Sequence, residues 1–196
     1  KMHITSKLPS VGTTIFSVMS ALAQKHGAIN LSQGFPNFPA SEELTELVCH
    51  YLRQGYNQYA PMPGLQELRE QIAAKVSRMY GLPVDAQEEI TVTAGATQAI
   101  YCAIAAFVKA GDEVIIFEPA YDCYRPAVEV NGGKAVIYEL EAPDYKVNWQ
   151  EVQHLLSSRT RMIIINTPHN PSGTTLKASD MLALQQLCEG TDILVL

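Results

Sequence analysis

The stretch RMIIINTPHNPSG, residues 161–173, decides the fold class. It begins with apolar, largely β-branched residues at consecutive positions and ends in a segment rich in proline, asparagine and glycine. Apolar residues at consecutive positions, rather than at alternating ones, are typical of a strand that is buried on both faces. The pattern therefore predicts a buried strand that delivers a rigid polar loop at its carboxyl end.

Four other short apolar runs alternate with helical stretches along the second half of the chain. They are EEITVTAG (88–95), EVIIFEP (113–119), KAVIYEL (134–140) and DILVL (192–196). Because these runs are apolar at consecutive positions, both faces of each strand are expected to be buried. The β-α-β rhythm then predicts an α/β fold with a mainly parallel sheet between helices. Right-handed crossovers then place the functional loops at the carboxyl ends of the strands.

The part of the chain before this sheet has a helical period. Ser41 is expected to cap the first of two amphipathic helices, and Gly81 is expected to end the second. The apolar stripes of these helices are Leu44, Leu47, Val48, Tyr51 and Leu52, and Leu65, Leu68, Ile72, Val76 and Met79.

Composition and charge exclude several classes of function. With 47% hydrophobic and 17% charged residues the chain is globular, and a net charge of -6 with no basic patch excludes a nucleic-acid partner. The four cysteines are far apart and have no histidines at metal-ligand spacing, so no metal site is expected. No apolar run reaches membrane-spanning length and no signal peptide is recognisable, which favours the reducing cytoplasm.

The last residues raise a physical problem. Ile193–Leu196 lie inside a predicted buried strand, where a terminal carboxylate would be a buried charge without a partner. We therefore expect the chain to be a fragment of a longer protein.

The turn TAGAT (93–97) is a candidate anion site. It follows a predicted strand and opens a helix, so the N–H groups of Ala96 and Thr97 and the helix dipole favour a negative charge there. Gly95 allows a tight turn. The turn lacks the P-loop and dinucleotide-binding patterns, so it suits a single phosphate group. By itself this signal is weak, and an ordinary strand-to-helix turn with Thr97 as a cap is the better interpretation of it alone.

The segment NTPHNPSG (166–173) is a more specific signal. An asparagine amide at the tip of a strand can hydrogen-bond a ligand oxygen, and the flanking prolines hold the loop rigid. The alternative is a plain turn in which Asn170 caps its own backbone. His169 is interpreted as a loop side chain rather than a catalytic base, since no partner for it is recognisable in the sequence.

Two tyrosines are further candidates, each with a structural alternative. Tyr121, in FEPAYDCYRP (117–126), could stack on a flat heterocycle or be a core aromatic beside Tyr124. Tyr59, in NQYAPMPGLQELR (57–69), could donate to a phosphate. In the alternative interpretation this segment only leads into a helix containing Leu65, and Arg69 pairs with a surface acid such as Glu42.

Taken together in this order, the motifs resemble those of the class I/II aminotransferases of fold type I. Like the segments above, LSQGFPNFP (31–39) resembles a motif of the branch that holds methionine, kynurenine and glutamine transaminases. The resemblance implies a pyridoxal-phosphate-binding large domain, incomplete at the C-terminus, that is preceded by a helical segment of the small domain. The implied boundaries are 1–40 for the N-terminal arm and small-domain segment and 41–196 for the large domain.

The resemblance also implies a cofactor site for pyridoxal 5'-phosphate. Gly95, Ala96 and Thr97 would hold the phosphate, Tyr121 would stack on the ring, and Asn170 would bond the phenolic oxygen. The bonds Glu118–Pro119 and Asn170–Pro171 would be cis, as in the family.

Other residues would serve the substrate and a second subunit. Gly34 would meet the substrate carboxylate through its backbone, and Phe16 would lie near the substrate side chain. Tyr59 would reach the phosphate of the partner subunit in a homodimer with shared active sites. The Schiff-base lysine is expected beyond Leu196, so no catalytic residue is assigned within this chain.

The implied activity is transfer of the amino group of a neutral amino acid, methionine-like, aromatic or glutamine, to a 2-oxo acid. Two alternatives stay open: a carbon-sulfur β-lyase of the same fold, and a non-catalytic fragment that binds the cofactor or pairs with a full-length subunit. A plain α/β domain with another phosphate ligand is a third.

Overall fold

The computed structural model of the chain describes residues 5–9, 11–34 and 36–196. Within these residues the helices are α1 Ile15–His26, α2 Glu42–Arg53, α3 Gln66–Tyr80, α4 Ala96–Phe107, α5 Tyr124–Val130, α6 Trp149–Leu155 and α7 Ala178–Cys188, and the strands are β1 Glu113–Glu118, β2 Lys134–Glu139, β3 Thr160–Ile164 and β4 Leu194–Val195. None of these helices is long and apolar enough to cross a membrane.

The chain divides into two compact units. The sheet unit comprises the described residues up to Gly12 together with Gly95–Leu196, and the helical unit comprises Thr13–Ala94. This division differs from the predicted boundary between residues 40 and 41, which concerns the domains of a larger protein and stays a prediction.

The four strands of the sheet unit form one parallel sheet in the order β2-β1-β3-β4. Ile116 of β1 is paired with Ile137 of β2 on one side and with Ile164 of β3 on the other. The last residue extends the ladder, since the N–H of Leu196 donates to the carbonyl of Ile163 at 3.0 Å. The prediction of a parallel sheet is confirmed.

Helices cover both faces of this sheet. Val114 and Ile116 of β1 pack in a core with Ile104 of α4 and residues of α5. Ile115 and Phe117 point to the opposite face and pack in a second core with side chains of α6 and α7. Strand alternation explains the division, because successive side chains leave opposite faces. The predicted layer order of helices, sheet and helices is confirmed.

Burial on both faces holds for the central strands only. β1 is buried along nearly its whole length, whereas β2 and β4 at the edges are largely half-buried or exposed. Within the described residues each edge strand has a neighbour on one side alone. The prediction that every apolar run is fully buried is therefore wrong for these two.

The predicted strand at 88–95 is a second correction. Residues 89–95 form no strand, and the N–H of Val92 donates instead to the carbonyl of Pro63 at 2.9 Å. A β-branched run becomes a strand only when a neighbouring chain segment accepts its ladder. Within the described residues this run has no such ladder, and its backbone joins the turn that precedes α3.

The two helices predicted before the sheet are present in the helical unit, with small differences at their ends. Ser41 is the N-terminal cap of α2, but its side chain makes no capping hydrogen bond. Gly81 ends α3 in the left-handed conformation, as predicted. The helix α3 begins at Gln66, so Leu65 is its cap rather than a member.

Candidate cofactor site

The amino end of α4 forms the first part of the candidate site. Gly95 occupies the cap position with φ 83° and ψ 170°, and α4 begins at Ala96. The positive φ explains the glycine, because other residues rarely adopt it. The N–H groups of Ala96 and Thr97 lie in the first turn, where helical geometry offers them no partner inside the helix. No acidic residue lies in that turn, so the local field favours an anion.

Tyr121 connects this helix end to the loop after β1. Its hydroxyl lies 3.1 Å from the hydroxyl of Thr97, although the two residues are 24 positions apart. Its ring meets the ring of Tyr124 edge-on, with centroids 5.9 Å apart. Tyr124 is buried in the core and Tyr121 is half-buried. Tyr121 therefore packs on the core aromatic Tyr124 and also contacts Thr97, a predicted phosphate ligand. Its stacking on a heterocycle stays a prediction.

The loop after β3 carries Asn170. Its side chain is exposed, and within the described part of the chain its amide makes no hydrogen bond to protein. The backbone N–H of Asn170 donates to the Asn166 side-chain oxygen at 2.6 Å. The alternative in which Asn170 caps its own backbone is therefore wrong, since Asn166 caps that position. Asn170 is left available to a ligand.

Asn166 is a site residue that sequence reasoning did not single out. Its signal is its position two residues after β3, four residues before the asparagine whose backbone it binds. The bond spans four residues, and through it a short amide side chain fixes a backbone group of the same loop. Asn166 thus holds the loop, and Asn170 presents its amide.

The two peptide bonds before proline that were expected to be cis, one in each loop, are cis. Glu118–Pro119 and Asn170–Pro171 are cis, as predicted. Ala142–Pro143 and Thr167–Pro168 are cis as well, which the sequence did not indicate.

The remaining predicted residues belong to the helical unit. Tyr59 is fully exposed, Gly34 is exposed, and Phe16 is half-buried in α1. Arg69 is buried, and its guanidinium donates to the carbonyl of Gln87 at 3.2 Å and to the side chain of Gln66 at 2.7 Å. The interpretation of Arg69 as a surface partner of Glu42 is therefore wrong.

The strongest electrostatic perturbation lies at the other end of the strands. Glu113 at the start of β1 is buried, and it accepts hydrogen bonds from Ser157 at 2.6 Å, Arg159 at 2.8 Å and Lys134 at 3.2 Å. The bonds from Ser157 and Arg159 hold the pKa of Glu113 at about 2. Since functional loops of parallel sheets lie at the carboxyl ends, this cluster is a structural clamp.

The described residues contain no group of three or more His, Cys, Asp or Glu side chains that could hold a metal ion. The four cysteines are free thiols, and Cys102 is exposed.

Comparison with known proteins identifies the family. A family model described as aminotransferase class I and II matches residues 26–196. The chain belongs to the class I and II aminotransferases. Members of this family depend on pyridoxal phosphate.

Individual relatives of this aminotransferase chain agree with the family model. It is 56% identical over 191 residues to methionine aminotransferase of Escherichia coli K12, a match that covers 97% of this chain and 50% of the relative. It is 38% identical over 194 residues to a probable N-succinyldiaminopimelate aminotransferase of Mycobacterium tuberculosis, covering 97% of this chain and 49% of the relative.

A solved structure agrees in fold. The crystal structure of an Escherichia coli protein with a methionine aminotransferase function superposes with a TM-score of 0.96 at 54% identity, covering 100% of this chain and 51% of that chain. The fold of this aminotransferase chain is therefore that of the fold type I pyridoxal-phosphate enzymes. The chain spans about half the length of the relatives it matches.

Proposed function

We propose that the whole protein is a pyridoxal-phosphate-dependent aminotransferase. It would move the amino group of a neutral amino acid to a 2-oxo acid. The observation that supports this best is the 3.1 Å contact between the hydroxyls of Thr97 and Tyr121. It unites an anion-binding helix end with an aromatic ring, and these are the two features that a phosphorylated heterocycle requires.

The amino end of α4 fits the phosphate of the cofactor. Gly95 sets the turn, Ala96 and Thr97 offer backbone N–H groups, and the Thr97 hydroxyl adds a further donor. These groups lie at the positive end of the helix dipole, where a dianion is stabilised. The residues present therefore fit the group.

Tyr121 and Asn170 fit the ring of the cofactor. The Tyr121 ring would stack on the pyridine, and the exposed Asn170 amide would donate to the phenolic oxygen. When bound, pyridoxal phosphate supplies an electron sink for charge that develops at the α-carbon of an amino acid, which no side chain can provide. The residues of this chain would bind the cofactor and orient its ring.

The substrate-side assignments are part of the same proposal. Gly34 would bind the substrate carboxylate through its backbone, and Phe16 would lie near the substrate side chain. The fully exposed Tyr59 would donate to the phosphate bound by the other subunit of a homodimer. The Schiff-base lysine expected beyond Leu196 stays a prediction.

Methionine is the proposed donor, and aromatic amino acids or glutamine are the alternatives within the neutral class. The 56% identity to a methionine aminotransferase supports this order. The names of the relatives described above are those of aminotransferases, which favours transfer over β-elimination by a carbon-sulfur lyase.

An assay of two products tests the proposed reaction. The protein produced from the complete gene is incubated with L-methionine and a 2-oxo acid, and the new 2-oxo acid and the new amino acid are both quantified. Transfer forms the two in equal amounts. A parallel incubation with a cysteine S-conjugate measures pyruvate. Pyruvate from the conjugate without amino-group transfer from methionine would support the lyase instead.

We also propose a cytoplasmic location. The four free thiols suit a reducing compartment. Fractionation of cells that express the complete gene, followed by immunoblotting, tests this: recovery in the membrane or secreted fraction would contradict it.

A further inference from the structure

The loop that presents Asn170 is closed on itself by the backbone of His169. The His169 N–H donates to the carbonyl of Thr174 at 2.8 Å, and the Gly173 N–H donates to the carbonyl of His169 at 2.7 Å. These two bonds make residues 169–174 a compact turn. Asn170 follows His169 directly, so its place depends on this turn.

The His169 ring fixes the inside of the same turn. Its Nδ1 atom lies 2.7 Å from the hydroxyl oxygen of Ser172. The Ser172 oxygen lies 2.9 Å from the hydroxyl of Thr174 and accepts from the Thr174 N–H at 3.3 Å. Ring, hydroxyls and backbone thus form one connected polar network within five residues of Asn170.

The ring also meets the loop that presents Tyr121. The carbonyl of Pro119, two residues before Tyr121, lies near enough to the His169 side chain to raise its pKa. Burial has the larger effect and lowers the pKa of His169 overall, which favours the neutral ring.

A small cavity of about 30 Å³ lies behind this loop. It is lined by His169 and Asn166 from the loop and by apolar side chains of the second core, among them Phe117, Trp149 and Ile165. The side chains that line it lack van der Waals contacts on the cavity side. The hydrogen bonds of the loop therefore contribute to holding it in place.

We propose that His169 is a positioning residue that keeps the loop after β3 closed, and so sets the position of Asn170 relative to the Tyr121 ring. This rests on the proposed function, in which those two residues hold the cofactor ring. The role is distinct from acid-base catalysis, because the ring acts through its contact with the Ser172 hydroxyl. A site that is well ordered by such supporting bonds binds its ligand more tightly than a loose one.

Two variants of the protein from the complete gene test the proposal. His169→Phe keeps an aromatic ring and removes the Nδ1 contact with Ser172, whereas Ser172→Ala removes the same contact from the other side and keeps the imidazole. His154→Phe is the matched control, because His154 is exposed on α6. Each apoprotein is titrated with pyridoxal phosphate, and affinity, the circular dichroism per bound cofactor and the thermal midpoint of the apoprotein are recorded.

The expected result is a graded one. His169→Phe raises the dissociation constant about tenfold or more, and Ser172→Ala raises it by a smaller factor. Both change the circular dichroism per bound cofactor, which reports the orientation of the ring and which a loss of overall stability alone would not alter. His154→Phe matches the wild type in both readouts.

Wild-type affinity together with an unchanged dichroic signal in His169→Phe would overturn the proposal. If His169→Phe does not fold, Ser172→Ala decides, and wild-type behaviour of that variant overturns the proposal. A wild-type protein that binds no pyridoxal phosphate would instead overturn the proposed function, and the positioning role with it.

Discussion

Two asparagines four residues apart have different tasks in the loop after β3. The Asn166 side chain accepts the backbone N–H of Asn170 at 2.6 Å, and the Asn170 side chain is exposed. The first amide shapes the protein and the second is available to a ligand. A substitution at each position should therefore affect a different property.

Replacing Asn170 with Ala tests its assignment as a ligand. We expect the dissociation constant for pyridoxal phosphate to rise about tenfold, since one hydrogen bond to the cofactor is lost. Stability of the apoprotein should stay within about 0.5 kcal/mol, because the side chain is exposed. Spectroscopic titration and thermal unfolding measure the two, and Ser179→Ala on the exposed side of α7 is the control. Unchanged affinity would remove Asn170 from the site.

Candidate site residues could be proposed from the sequence where a motif combined a suitable side chain with a defined position in the fold. Thr97 follows a glycine at a helix start, and Asn170 lies between prolines after a strand. Arg69 was misread because its helix was treated as a surface element, whereas its guanidinium is buried against the Gln87 carbonyl. A sequence does not show which face of a helix a loop will cover.

At the scale of elements, the amino ends of β1, β2 and β3 are clamped by one carboxylate. Glu113 of β1 binds Lys134 of β2, Arg159 just before β3 and Ser157 in the same turn. The cations are largely exposed, so their attraction is screened by water. The bond from the Ser157 hydroxyl is the shortest and the least dependent on salt.

Acid should weaken this clamp in a defined range of pH. The folded-state pKa of Glu113 is about 2, against an ordinary value of 4.5. Its contribution to stability is therefore complete above pH 4.5 and is lost as the pH falls towards 2. In Glu113→Gln we expect a loss of about 1–3 kcal/mol at neutral pH and a shallower decline of stability in acid.

Unfolding in denaturant at several pH values measures both effects. Asp144→Asn is the control, since Asp144 forms an exposed pair with Lys146 and should cost under about 1 kcal/mol. Parallel pH profiles for Glu113→Gln and the wild type would contradict the assignment.

A second prediction at this scale concerns the stability of the turn before α3. Gly64 has a φ of +100°, and a Cβ added there would lie 2.6 Å from Cγ2 of Val92. Gly64→Ala should destabilise the protein by about 1–3 kcal/mol through backbone strain and this clash. Thermal unfolding measures it, and Gly12→Ala is the control because its Cβ would meet nothing within 4 Å. Equal stability of the two variants would show that the turn adapts.

The run at 88–95 shows why one element escaped prediction. Its residues favour a strand, yet within the described residues its backbone bonds to Pro63 and forms no ladder. The runs at β1 and β3 each have a neighbouring strand on both sides in the sheet, so their consecutive apolar residues were a sufficient signal. Strand formation depends on a neighbour, and composition does not reveal whether that neighbour is present.

At the scale of the whole molecule, a shared active site is the main untested consequence of the proposed function. If Tyr59 serves the site of the other subunit, Tyr59→Phe and Asn170→Ala damage opposite halves of the same site. A heterodimer of the two variants would then contain one intact site and one doubly damaged site.

Mixing the two variants tests this directly at a pyridoxal phosphate concentration that half-saturates the wild type and leaves the variants largely empty. After dissociation and reassembly we expect the intact sites to add about a quarter of wild-type activity, since half of the dimers are mixed and each has one intact site of two. The mixture of Asn170→Ala with itself is the control and should show no recovery. No gain on mixing would place Tyr59 and Asn170 in the same subunit's site or outside it.

The fold class of the chain was predictable from the sequence. Runs of consecutive apolar residues that alternate with helical stretches and polar loops indicate a sheet between two layers of helices, even when the contacts are unknown. The 3.1 Å contact between Thr97 and Tyr121 was not predictable, because it depends on how two loops close over one core. Family membership, with 56% identity to a methionine aminotransferase, agrees with the predicted fold class.

The most direct test is the visible absorption spectrum of the protein purified from its complete gene, recorded before and after addition of L-methionine. We expect the absorption of bound pyridoxal phosphate at first, and its conversion by methionine to the spectrum of the amine form of the cofactor. A colourless protein that stays colourless after addition of pyridoxal phosphate would contradict the assignment of Thr97, Tyr121 and Asn170 as a cofactor site.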